Sequence, residues 1–309
     1  MSAGGGGRPR RVAVVTGGSS GVGRATAVAF ARRGWAVVLA GRDGAALAEV
    51  AARCGPHTLA VPTDVTDAAA VVELAERAAG RFGRLDLWVN NAAVATFGSV
   101  EATPVADVRR VVEVNVLGYL HGVRAALPWL RAAGGGTVVN IASAVGVLGH
   151  PSAAGYAMSR FAVRGLSASV RQELLLAGER RIRVCTVLPS SIDTPLYGWA
   201  GNYSGRTVAA LPPVYPPARV ALRVLRLADR PRRTVYVGAA GHLAALANRC
   251  APAVVDRLYV AWTRRRQLTP PAAPPTAGNL YAPRHRPPGA APAPPDGGDV
   301  PADALADVP

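Results

Sequence analysis

The stretch VAVVTGGSSGVGRATAVAF, from Val12 to Phe30, decides the fold because its periodicity changes in the middle. It begins as a run of β-branched and small apolar residues, which favours a buried strand, and it ends with helical periodicity. The turn between the two holds Gly17, Gly21 and Gly23. Glycines at such a junction allow a tight bend and a close approach of the backbone to a pyrophosphate, whose charge the following helix N-terminus meets. We therefore expect a dinucleotide-binding turn after the first strand.

The alternation of short apolar runs with longer helical patterns continues along the chain. The predicted strands are residues 11–16, 36–40, 57–62, 85–90, 136–143, 181–189 and 234–238. The predicted helices lie near residues 22–33, 44–54, 67–81, 104–133, 152–177 and 217–229. This pattern predicts an α/β fold, a single doubly wound Rossmann domain whose seven-stranded parallel sheet is covered by helices on both faces. Such a sheet binds its ligand outside the carboxyl ends of the strands, where the strand order reverses.

The two ends of the chain differ in composition from its middle. Residues 1–9 are rich in glycine and are expected to be flexible. Residues 267–309 are dominated by proline, alanine and glycine with little apolar periodicity, which predicts a disordered tail. The Rossmann domain is therefore expected to span residues 10–266.

Charge and cysteine content exclude several classes of protein. The formal net charge is +16, and all 35 basic residues are arginine, because the chain contains no lysine. The arginines are spread along the chain without a nucleic-acid-binding motif, so a solvated basic surface is favoured over a nucleic-acid partner. Cys54, Cys185 and Cys250 are odd in number and lack metal-ligand spacing, which argues against a disulfide framework and a metal site. With no signal peptide and no apolar stretch of roughly 18 residues, a cytoplasmic protein is expected.

The segment YAMSR places Tyr156 and Arg160 four residues apart, on one face of a predicted helix. Ser143 lies 13 residues before Tyr156, at the carboxyl end of the fifth strand, so both hydroxyls can face the same crevice. A serine there can hold and polarise a carbonyl oxygen while the tyrosine supplies a proton. A free tyrosine has a pKa of roughly 10, so it needs a cation nearby to act at neutral pH. The spacing therefore predicts an acid–base site whose cation is Arg160.

Several further motifs follow one another in the order typical of one protein family. They are TGGSSGVG, TDV at 63–65, NNAA at 90–93, Asn115 in VVEVNVLG, the Ser143 to Tyr156 spacing, and LPSSIDT at 188–194. In this order the sequence resembles the short-chain dehydrogenase/reductase family across nearly the whole predicted domain. The match departs from the family pattern at Arg160, where the family carries lysine, and at Ala93 and Ser190, where it carries glycine.

The resemblance implies an oxidoreductase and assigns its functional residues. The implied catalytic residues are Ser143, Tyr156, Arg160 and Asn115, the last holding a water of a proton relay. The implied cofactor contacts are Gly17, Ser19, Ser20, Gly21, Val22, Gly23, Arg42, Asp64, Val65, Asn91, Ala92, Tyr156, Arg160, Pro189, Ile192 and Thr194. The family's lysine binds the nicotinamide ribose and lowers the tyrosine pKa, so Arg160 leaves two alternatives open. Its fixed charge and several donors favour a working enzyme, whereas its bulkier planar group would suit a weak or inactive nucleotide-binding regulatory or interaction protein.

The end of the second predicted strand bears on the choice of cofactor. A site for NAD carries a carboxylate there for the ribose 2′-hydroxyl, and a site for NADP offers arginine to the 2′-phosphate. In VVLAGRD the acidic position holds Gly41 and the next holds Arg42, which favours NADP over NAD because guanidinium pairs with phosphate bidentately. Asp43 follows at once, and Ser20 stands where many NADP-preferring relatives carry a basic residue.

The region after Thr194 bears on the substrate. Four aromatic residues in a loop with few charges predict an apolar pocket wall: Tyr197, Trp199, Tyr203 and Tyr215. The alternative is that some of these rings only pack the loop onto the domain. We therefore expect an NADP-dependent oxidoreductase that interconverts an alcohol and a carbonyl on an apolar small molecule.

Two partner surfaces are also suggested by the sequence. Residues 239–266 combine apolar residues with a terminal arginine cluster, which suits weak peripheral contact with an anionic membrane, a helix that closes the core, or a subunit contact. The helices predicted at 104–133 and 152–177 resemble those through which family members pair, which implies a homodimer or homotetramer.

Overall fold

The computed structural model of the protein describes residues 10–284. Its strands are β1 (Val12–Thr16), β2 (Ala36–Gly41), β3 (Thr58–Pro62), β4 (Leu87–Asn90), β5 (Thr96–Phe97), β6 (Gly136–Ile141), β7 (Ile182–Pro189), β8 (Gly201–Asn202), β9 (Arg206–Val208), β10 (Thr234–Val237) and β11 (Leu268–Ala272). Its α-helices are α1 (Gly21–Arg32), α2 (Gly44–Cys54), α3 (Ala68–Phe82), α4 (Val105–Val112), α5 (Gly118–Ala132), α6 (Ala154–Leu176), α7 (Leu196–Trp199), α8 (Pro217–Asp229), α9 (Ala239–Cys250) and α10 (Pro252–Trp262).

Seven of these strands form one parallel sheet in the order β10-β7-β6-β4-β1-β2-β3. Every neighbouring pair in it is parallel, and the order reverses between β1 and β4. The doubly wound seven-stranded sheet predicted from the sequence is therefore confirmed. The reversal opens a crevice at the carboxyl ends of β1 and β4, which is where this architecture binds ligands.

The sheet is buried on both faces because its strands are apolar at successive positions. In β1, Ala13 and Val15 belong to a core cluster on one face, while Val12 and Val14 belong to a second cluster on the other. This alternation follows from the period of two along a strand, and burial on both faces explains why β1 is a continuous apolar run.

Helix ends are set by local capping. The side chain of Asp43 accepts a hydrogen bond from the backbone N–H of Ala46 at the start of α2. Asp67 does the same for Ala69 and Ala70 at the start of α3, and α3 ends at Gly83 with φ 79°, a left-handed conformation that favours glycine. These caps fix the lengths of the crossovers that return the chain to the sheet.

The helix predicted at 104–133 is present as a continuous helical run from Val105 to Ala132, and it contains a π-helical turn that was not predicted. α4 ends at Val112, a π-helical turn follows at Glu113–Leu117, and α5 begins at Gly118. Apolar periodicity alone does not reveal such a turn, because the extra residue changes the register without interrupting the hydrophobic pattern. π turns of this kind are frequent at functional sites, and this one contains Asn115.

The predicted start of disorder at residue 267 was too early, because residues 267–284 are ordered in the structure. β11 pairs antiparallel with β9, Thr276 pairs with Asn202, and the side chain of Leu280 is fully buried. Main-chain hydrogen bonds and one apolar anchor order residues 267–284, and neither requires apolar periodicity. The predicted flexible segment 1–9 and the rest of the tail, 285–309, lie outside the described residues.

Two further searches cover the described chain only. Within residues 10–284 no helix is long and apolar enough to cross a membrane. The same residues contain no group of three or more His, Cys, Asp or Glu side chains arranged to hold a metal ion.

Candidate active site

A cavity of about 360 Å³ lies at the carboxyl ends of the sheet strands. One end, here called the glycine-turn end, is lined by the turn after β1 together with Arg42 and Asp64. The other, here called the tyrosine end, is lined by Ser143, Tyr156 and Tyr197. Almost all of the predicted site residues line this one cavity. They are Gly17, Ser19, Ser20, Gly21, Val22, Arg42, Asp64, Val65, Asn91, Ala92, Ser143, Tyr156, Arg160, Pro189, Ile192 and Thr194.

Two positions of the turn after β1, Gly17 and Gly23, leave no room for a side chain. Gly17 has φ +64°, and a Cβ on it would lie 2.8 Å from the Cα of Ala92. A Cβ on Gly23 would lie 2.0 Å from the carbonyl oxygen of Gly17, which is a direct clash with backbone. Asn91 supports the turn by donating from Nδ2 to the carbonyls of Thr16 (3.0 Å) and Gly17 (3.2 Å). Gly23 does not line the cavity, but its lack of a side chain lets the backbone of the turn pack closely against α1. The resulting concave turn, here called the cradle, fits a pyrophosphate.

Arg42 is held at the mouth of the glycine-turn end by main-chain carbonyls. Its Nη1 donates to the carbonyl of Leu280 at 3.0 Å, and its Nη2 donates to the carbonyl of Asn279 at 2.6 Å. Burial lowers the pKa of Arg42, and the nearby Arg110 lowers it further, while Asp64 opposes both. The residue predicted to bind a 2′-phosphate is thus present in the cavity but is already hydrogen-bonded.

Asp64 and Arg110 form an ion pair beside Arg42. Nη2 of Arg110 lies 2.7 Å from the carboxylate of Asp64, which also accepts from the backbone N–H (3.0 Å) and hydroxyl (2.9 Å) of Thr66. Burial raises the pKa of Asp64, but the hydrogen bonds from Thr66 and Arg110 outweigh it, so the pKa lies below its usual value. The carboxylate is therefore ionised and its oxygens are largely engaged.

Tyr156 and Arg160 meet at the tyrosine end as the spacing on α6 predicts. The guanidinium carbon of Arg160 lies 4.7 Å from the centre of the Tyr156 ring, and Arg160 is only 2% exposed. Burial works against its charge, but the phenol oxygens of Tyr156 and Tyr119 outweigh burial and raise the pKa of Arg160. A fixed positive charge therefore stands beside the tyrosine ring.

The guanidinium of Arg160 is oriented by a tyrosine that sequence reasoning missed. Nη1 of Arg160 donates to Tyr119 Oη at 3.2 Å and to the carbonyl of Ile141 at 3.1 Å, and Tyr119 Oη itself donates to the same carbonyl at 2.8 Å. Burial raises the pKa of Tyr119, which keeps its hydroxyl protonated as a donor. Its position four residues after Asn115, on the same helical face, is the sequence signal that could have identified it. Nε of Arg160 is buried with no partner among the described residues.

Ser143 combines a structural contact with a place in the cavity wall. It is 8% exposed, and its Oγ accepts from the backbone N–H of Val145 at 3.2 Å, which caps the short 3-10 turn Ala144–Gly146. Its hydroxyl donates to the carbonyl of Pro189 at 3.4 Å, a long and weak hydrogen bond. The hydroxyl proton can therefore be redirected to an oxygen in the cavity at little cost.

The side chain of Asn115 does not line the cavity. Its Oδ1 accepts from the backbone N–H of Val94, and its Nδ2 donates to the Val94 carbonyl and to Ser159 Oγ, all at 2.9 Å. Ser159 in turn donates to the carbonyl of Tyr156 at 2.7 Å. Asn115 thus ties the π turn to the turn of α6 that carries Tyr156, and its side chain has no donor left over for a relay water.

Only two of the four loop aromatics predicted to form the pocket wall do so. Tyr197 and Trp199 line the cavity. Tyr203 instead donates its hydroxyl to the buried carboxylate of Asp107, and Tyr215 packs against the core with Arg219 over its ring. The other two rings therefore fasten the loop to the domain.

Four further rings complete the wall and were not predicted as parts of it. Phe97, His150, Tyr259 and Trp262 line the tyrosine end, with Phe97 stacked 6.2 Å from Tyr197 and His150 edge-on to Tyr259 at 5.3 Å. Burial lowers the pKa of His150, so its imidazole is neutral near pH 7, and burial raises the pKa of Tyr197 to about 12. These residues lie on separate elements, so no local pattern brings them together.

Comparisons with known proteins agree with this geometry. Residues 11–200 match the family model described as short chain dehydrogenase. The uncharacterized oxidoreductase YxnA of Bacillus subtilis is 36% identical over 253 residues, covering 80% of this chain and 71% of that protein. The cis-4-hydroxycyclohexanecarboxylate dehydrogenase of Sinomonas cyclohexanicum is 39% identical over 209 residues, covering 66% of this chain and 82% of the relative.

Solved structures give the same picture. A short chain dehydrogenase/reductase from Burkholderia phymatum in complex with NAD superposes with a TM-score of 0.69 at 28% identity, covering 85% of this chain and 98% of that one. An alcohol dehydrogenase from the archaeon Thermococcus sibiricus complexed with 5-hydroxy-NADP gives a TM-score of 0.64 at 27% identity, covering 74% and 95%.

Proposed function

The chain belongs to the short-chain dehydrogenase family and is an oxidoreductase acting on CH–OH groups, and we propose that it uses NADP to interconvert an apolar alcohol and its carbonyl compound. The observation that carries the proposal is the pair formed by Tyr156 and the buried Arg160, in the same cavity as the glycine turn. The cradle at Gly17 and Gly23 and the unpartnered Nε of Arg160 fit a dinucleotide. When bound, the nicotinamide cofactor supplies or accepts the hydride.

The proposed roles at the tyrosine end follow from the contacts there. Ser143 donates to the substrate oxygen in place of its weak hydrogen bond to Pro189. Tyr156 gives a proton to that oxygen in reduction and removes it in oxidation. Arg160 stabilises the negative charge left on the phenol oxygen and offers its Nε to the cofactor ribose. Asn115 positions Tyr156 through Ser159, so a relay water would have to bind its main chain instead of its side chain.

The proposed cofactor contacts lie along the rest of the cavity. Asn91 and Ala92 adjoin the glycine turn, while Pro189, Ile192 and Thr194 line the cavity near the tyrosine end. Gly41 in place of an acidic residue and the adjacent Arg42 support NADP over NAD. Arg42 can bind the 2′-phosphate of NADP only when its guanidinium is able to reach that phosphate.

We propose a cyclic, uncharged substrate. The wall at the tyrosine end includes the rings of Phe97, Tyr197, Trp199 and Tyr259, and such a wall suits an apolar ring. A relative acts, by its name, on hydroxycyclohexanecarboxylate. The guanidinium of Arg160 is turned toward Tyr119 and Ile141, so the wall around Tyr156 offers aromatic surface where a carboxylate would need a cation. We expect cyclohexanone-type ketones to be better substrates than their carboxylated analogues.

The test is NADPH oxidation with a panel of apolar cyclic ketones, run on wild type beside Tyr156→Phe. The variant should lose turnover by roughly 10² to 10⁴-fold, the usual contribution of a positioned acid, while the Kd for NADPH stays within about twofold. Equal turnover in both proteins would remove Tyr156 from the mechanism. A wild type that binds NADPH and reduces no member of the panel would favour the alternative, a nucleotide-binding regulatory or interaction protein on the same fold.

A weak contact with anionic membranes is a further proposal for residues 239–266. No residue of α10 is fully buried, although Tyr259 and Trp262 line the cavity, and Leu243, Leu246 and Leu258 are exposed on α9 and α10, which precede the cluster Arg264–Arg266. Apolar side chains beside arginines favour an anionic lipid surface. Sedimentation with phosphatidylserine vesicles at low salt should recover the protein, and failure to do so, with neutral vesicles as control, would exclude the contact.

Pairing of the chain into a homodimer or homotetramer is proposed on a separate surface. Met158 and Phe161 on α6 are 52% and 44% exposed, which suits burial against another subunit. Light scattering behind a size-exclusion column measures the mass, and a monomer at micromolar concentration would contradict the proposal.

A further inference from the structure

The segment Ala273–Arg284, here called the strap, crosses the mouth of the cavity. At one side it is fixed to the loop after α7. Thr276 and Asn202 exchange backbone hydrogen bonds of 3.0 and 2.7 Å, and the backbone N–H of Asn279 donates to the carbonyl of Trp199 at 2.8 Å. Asn279, Pro283 and Arg284 line the cavity itself. The strap is therefore part of the wall, although it lies far from the glycine turn in sequence.

A second set of contacts fastens the strap to the body of the domain. The side chain of Leu280 is fully buried in the second core cluster. Tyr281 donates its hydroxyl to Asp107 at 2.8 Å, and this carboxylate is 5% exposed and also accepts from Tyr203. The hydrogen bond to Asp107 raises the pKa of Tyr281, which keeps the phenol protonated and able to donate.

The strap also occupies the outer edge of the Arg42 guanidinium. The carbonyls of Asn279 and Leu280 each take one Nη of Arg42, and the Leu280 carbonyl accepts from Nε of Arg110 as well, at 3.1 Å. A guanidinium edge presents two parallel N–H groups, which suit one pair of acceptor oxygens. Two of the five N–H donors of Arg42 are thus taken, and a phosphate that binds through this same edge must displace the two carbonyls, whose negative ends point at it.

Asn279 adds a polarity requirement of its own. Its Oδ1 is buried and has no hydrogen-bond partner among the described residues, although the residue lines the cavity. An unpartnered buried acceptor calls for a donor from the ligand. The 2′-hydroxyl of NAD can donate to it, whereas the 2′-phosphate of NADP, which is largely a dianion at pH 7, can only accept.

We propose that the strap controls access of the cofactor to Arg42: NAD binds beneath the strap as it lies, and NADP, the cofactor proposed above, binds with its 2′-phosphate on Arg42 only after the strap has left that side chain. The inference rests on the proposed function, because it takes the glycine-turn end as a dinucleotide site. The apparent affinity for NADP is then the intrinsic affinity multiplied by the fraction of molecules whose strap is open. The strap thus lowers NADP affinity without contacting the glycine turn.

Hydrogen exchange on the full-length protein, with saturating NAD or NADP, tests the proposal directly. Peptides covering 276–281 should exchange at least about tenfold faster with NADP than with NAD, because NADP holds the open state. Peptides covering the glycine turn report binding itself. Protection of the turn by both nucleotides with equal exchange in the strap overturns the proposal and leaves the cofactor site standing. Absence of protection by either nucleotide overturns the cofactor assignment on which it rests.

A variant that loosens the strap gives the second test. Leu280→Ala removes the buried anchor, and Leu176→Ala, at a position 91% exposed on α6, is the matched control. The Kd for NADPH, measured by fluorescence titration, should fall about tenfold in Leu280→Ala as the open fraction rises, while the Kd for NADH stays constant or rises. The control should bind both nucleotides as wild type does. Weaker NADPH binding in Leu280→Ala would show that the strap completes the phosphate site, which overturns the proposal.

Discussion

Arg160 and Arg42 line the same cavity, and carbonyl oxygens hold both, but those carbonyls belong to different kinds of structure. Arg160 donates to the carbonyl of Ile141, in a central strand, and it is 2% exposed. Arg42 donates to the carbonyls of Asn279 and Leu280, in a segment that crosses the cavity from outside the sheet. The core fixes the cation at the tyrosine end, whereas the cation at the glycine-turn end is held by a segment outside the sheet, which we propose can leave it. The difference suits a constant chemical step combined with an adjustable choice of cofactor.

The largest effect is expected for a substitution in the glycine turn itself, because this part of the glycine-turn end is as rigid as the tyrosine end. Gly23→Ala places a Cβ 2.0 Å from the carbonyl of Gly17, so the turn must move away from the pyrophosphate. Loss of two charge-assisted hydrogen bonds at about 1.5 kcal/mol each corresponds to roughly hundredfold weaker binding of both NADPH and NADH. Gly80→Ala is the control, because Gly80 lies in α3 with nothing within 4 Å of the added Cβ. Fluorescence titration checks both variants, and unchanged affinity in Gly23→Ala would contradict the cradle.

The next effect concerns the fixed cation. Arg160→Met leaves Tyr119 without its donor and removes the charge beside Tyr156, so kcat should fall about a hundredfold. Arg160→Lys keeps the charge, and its kcat should stay within about tenfold of wild type, because the electrostatic requirement is a positive charge beside the ring. Steady-state NADPH oxidation measures both.

A lysine variant much faster than wild type would be the adverse result. It would mean that the hydrogen bonds to Tyr119 and Ile141 hold the guanidinium too far from the Tyr156 oxygen and the cofactor ribose. The reading as a nucleotide-binding protein without turnover would then gain support. A melting temperature recorded on each variant separates lost chemistry from lost folding.

Local patterns were sufficient to predict the fold and the residues that gather at the tyrosine end. The doubly wound sheet and the family are confirmed, and Ser143, Tyr156 and Arg160 line one cavity, because strand ends and an i, i+4 pair on a helix are set by nearby residues. The roles of these residues remain predictions. Tyr119 was missed because its importance comes from a hydrogen bond to a carbonyl 22 positions away.

The strap could not be predicted in the same way. Its composition is typical of disorder, and its order comes from contacts between residues very distant in sequence, such as Tyr281 with Asp107 and Leu280 with Arg42. Tyr203 was assigned to the pocket wall for a related reason. The local sequence does not reveal that its hydroxyl donates to the buried carboxylate of Asp107. Sequence patterns predict helices and strands, but they do not predict contacts between segments that are distant in sequence.

The smallest expected effect is a pH dependence that separates the two ends of the cavity. The pKa of Asp64 is lowered in the folded protein, so its pairing with Arg110 stabilises the fold above the unfolded pKa of about 3.9 and loses that contribution as pH falls below about 4. Because the Asp64 side chain is 36% exposed, the contribution should be under about 1 kcal/mol. The difference in free energy of unfolding between wild type and Asp64→Asn should therefore be constant from pH 7 to 5 and shrink below pH 4, as measured by urea denaturation. For Arg160→Met the corresponding difference should stay flat over the whole range, because the groups that face Arg160 are phenols and a carbonyl. If the difference in free energy of unfolding for Asp64→Asn already shrinks between pH 7 and 5, the pKa of Asp64 is raised by burial. The ion pair with Arg110 would then not stabilise the carboxylate at the glycine-turn end.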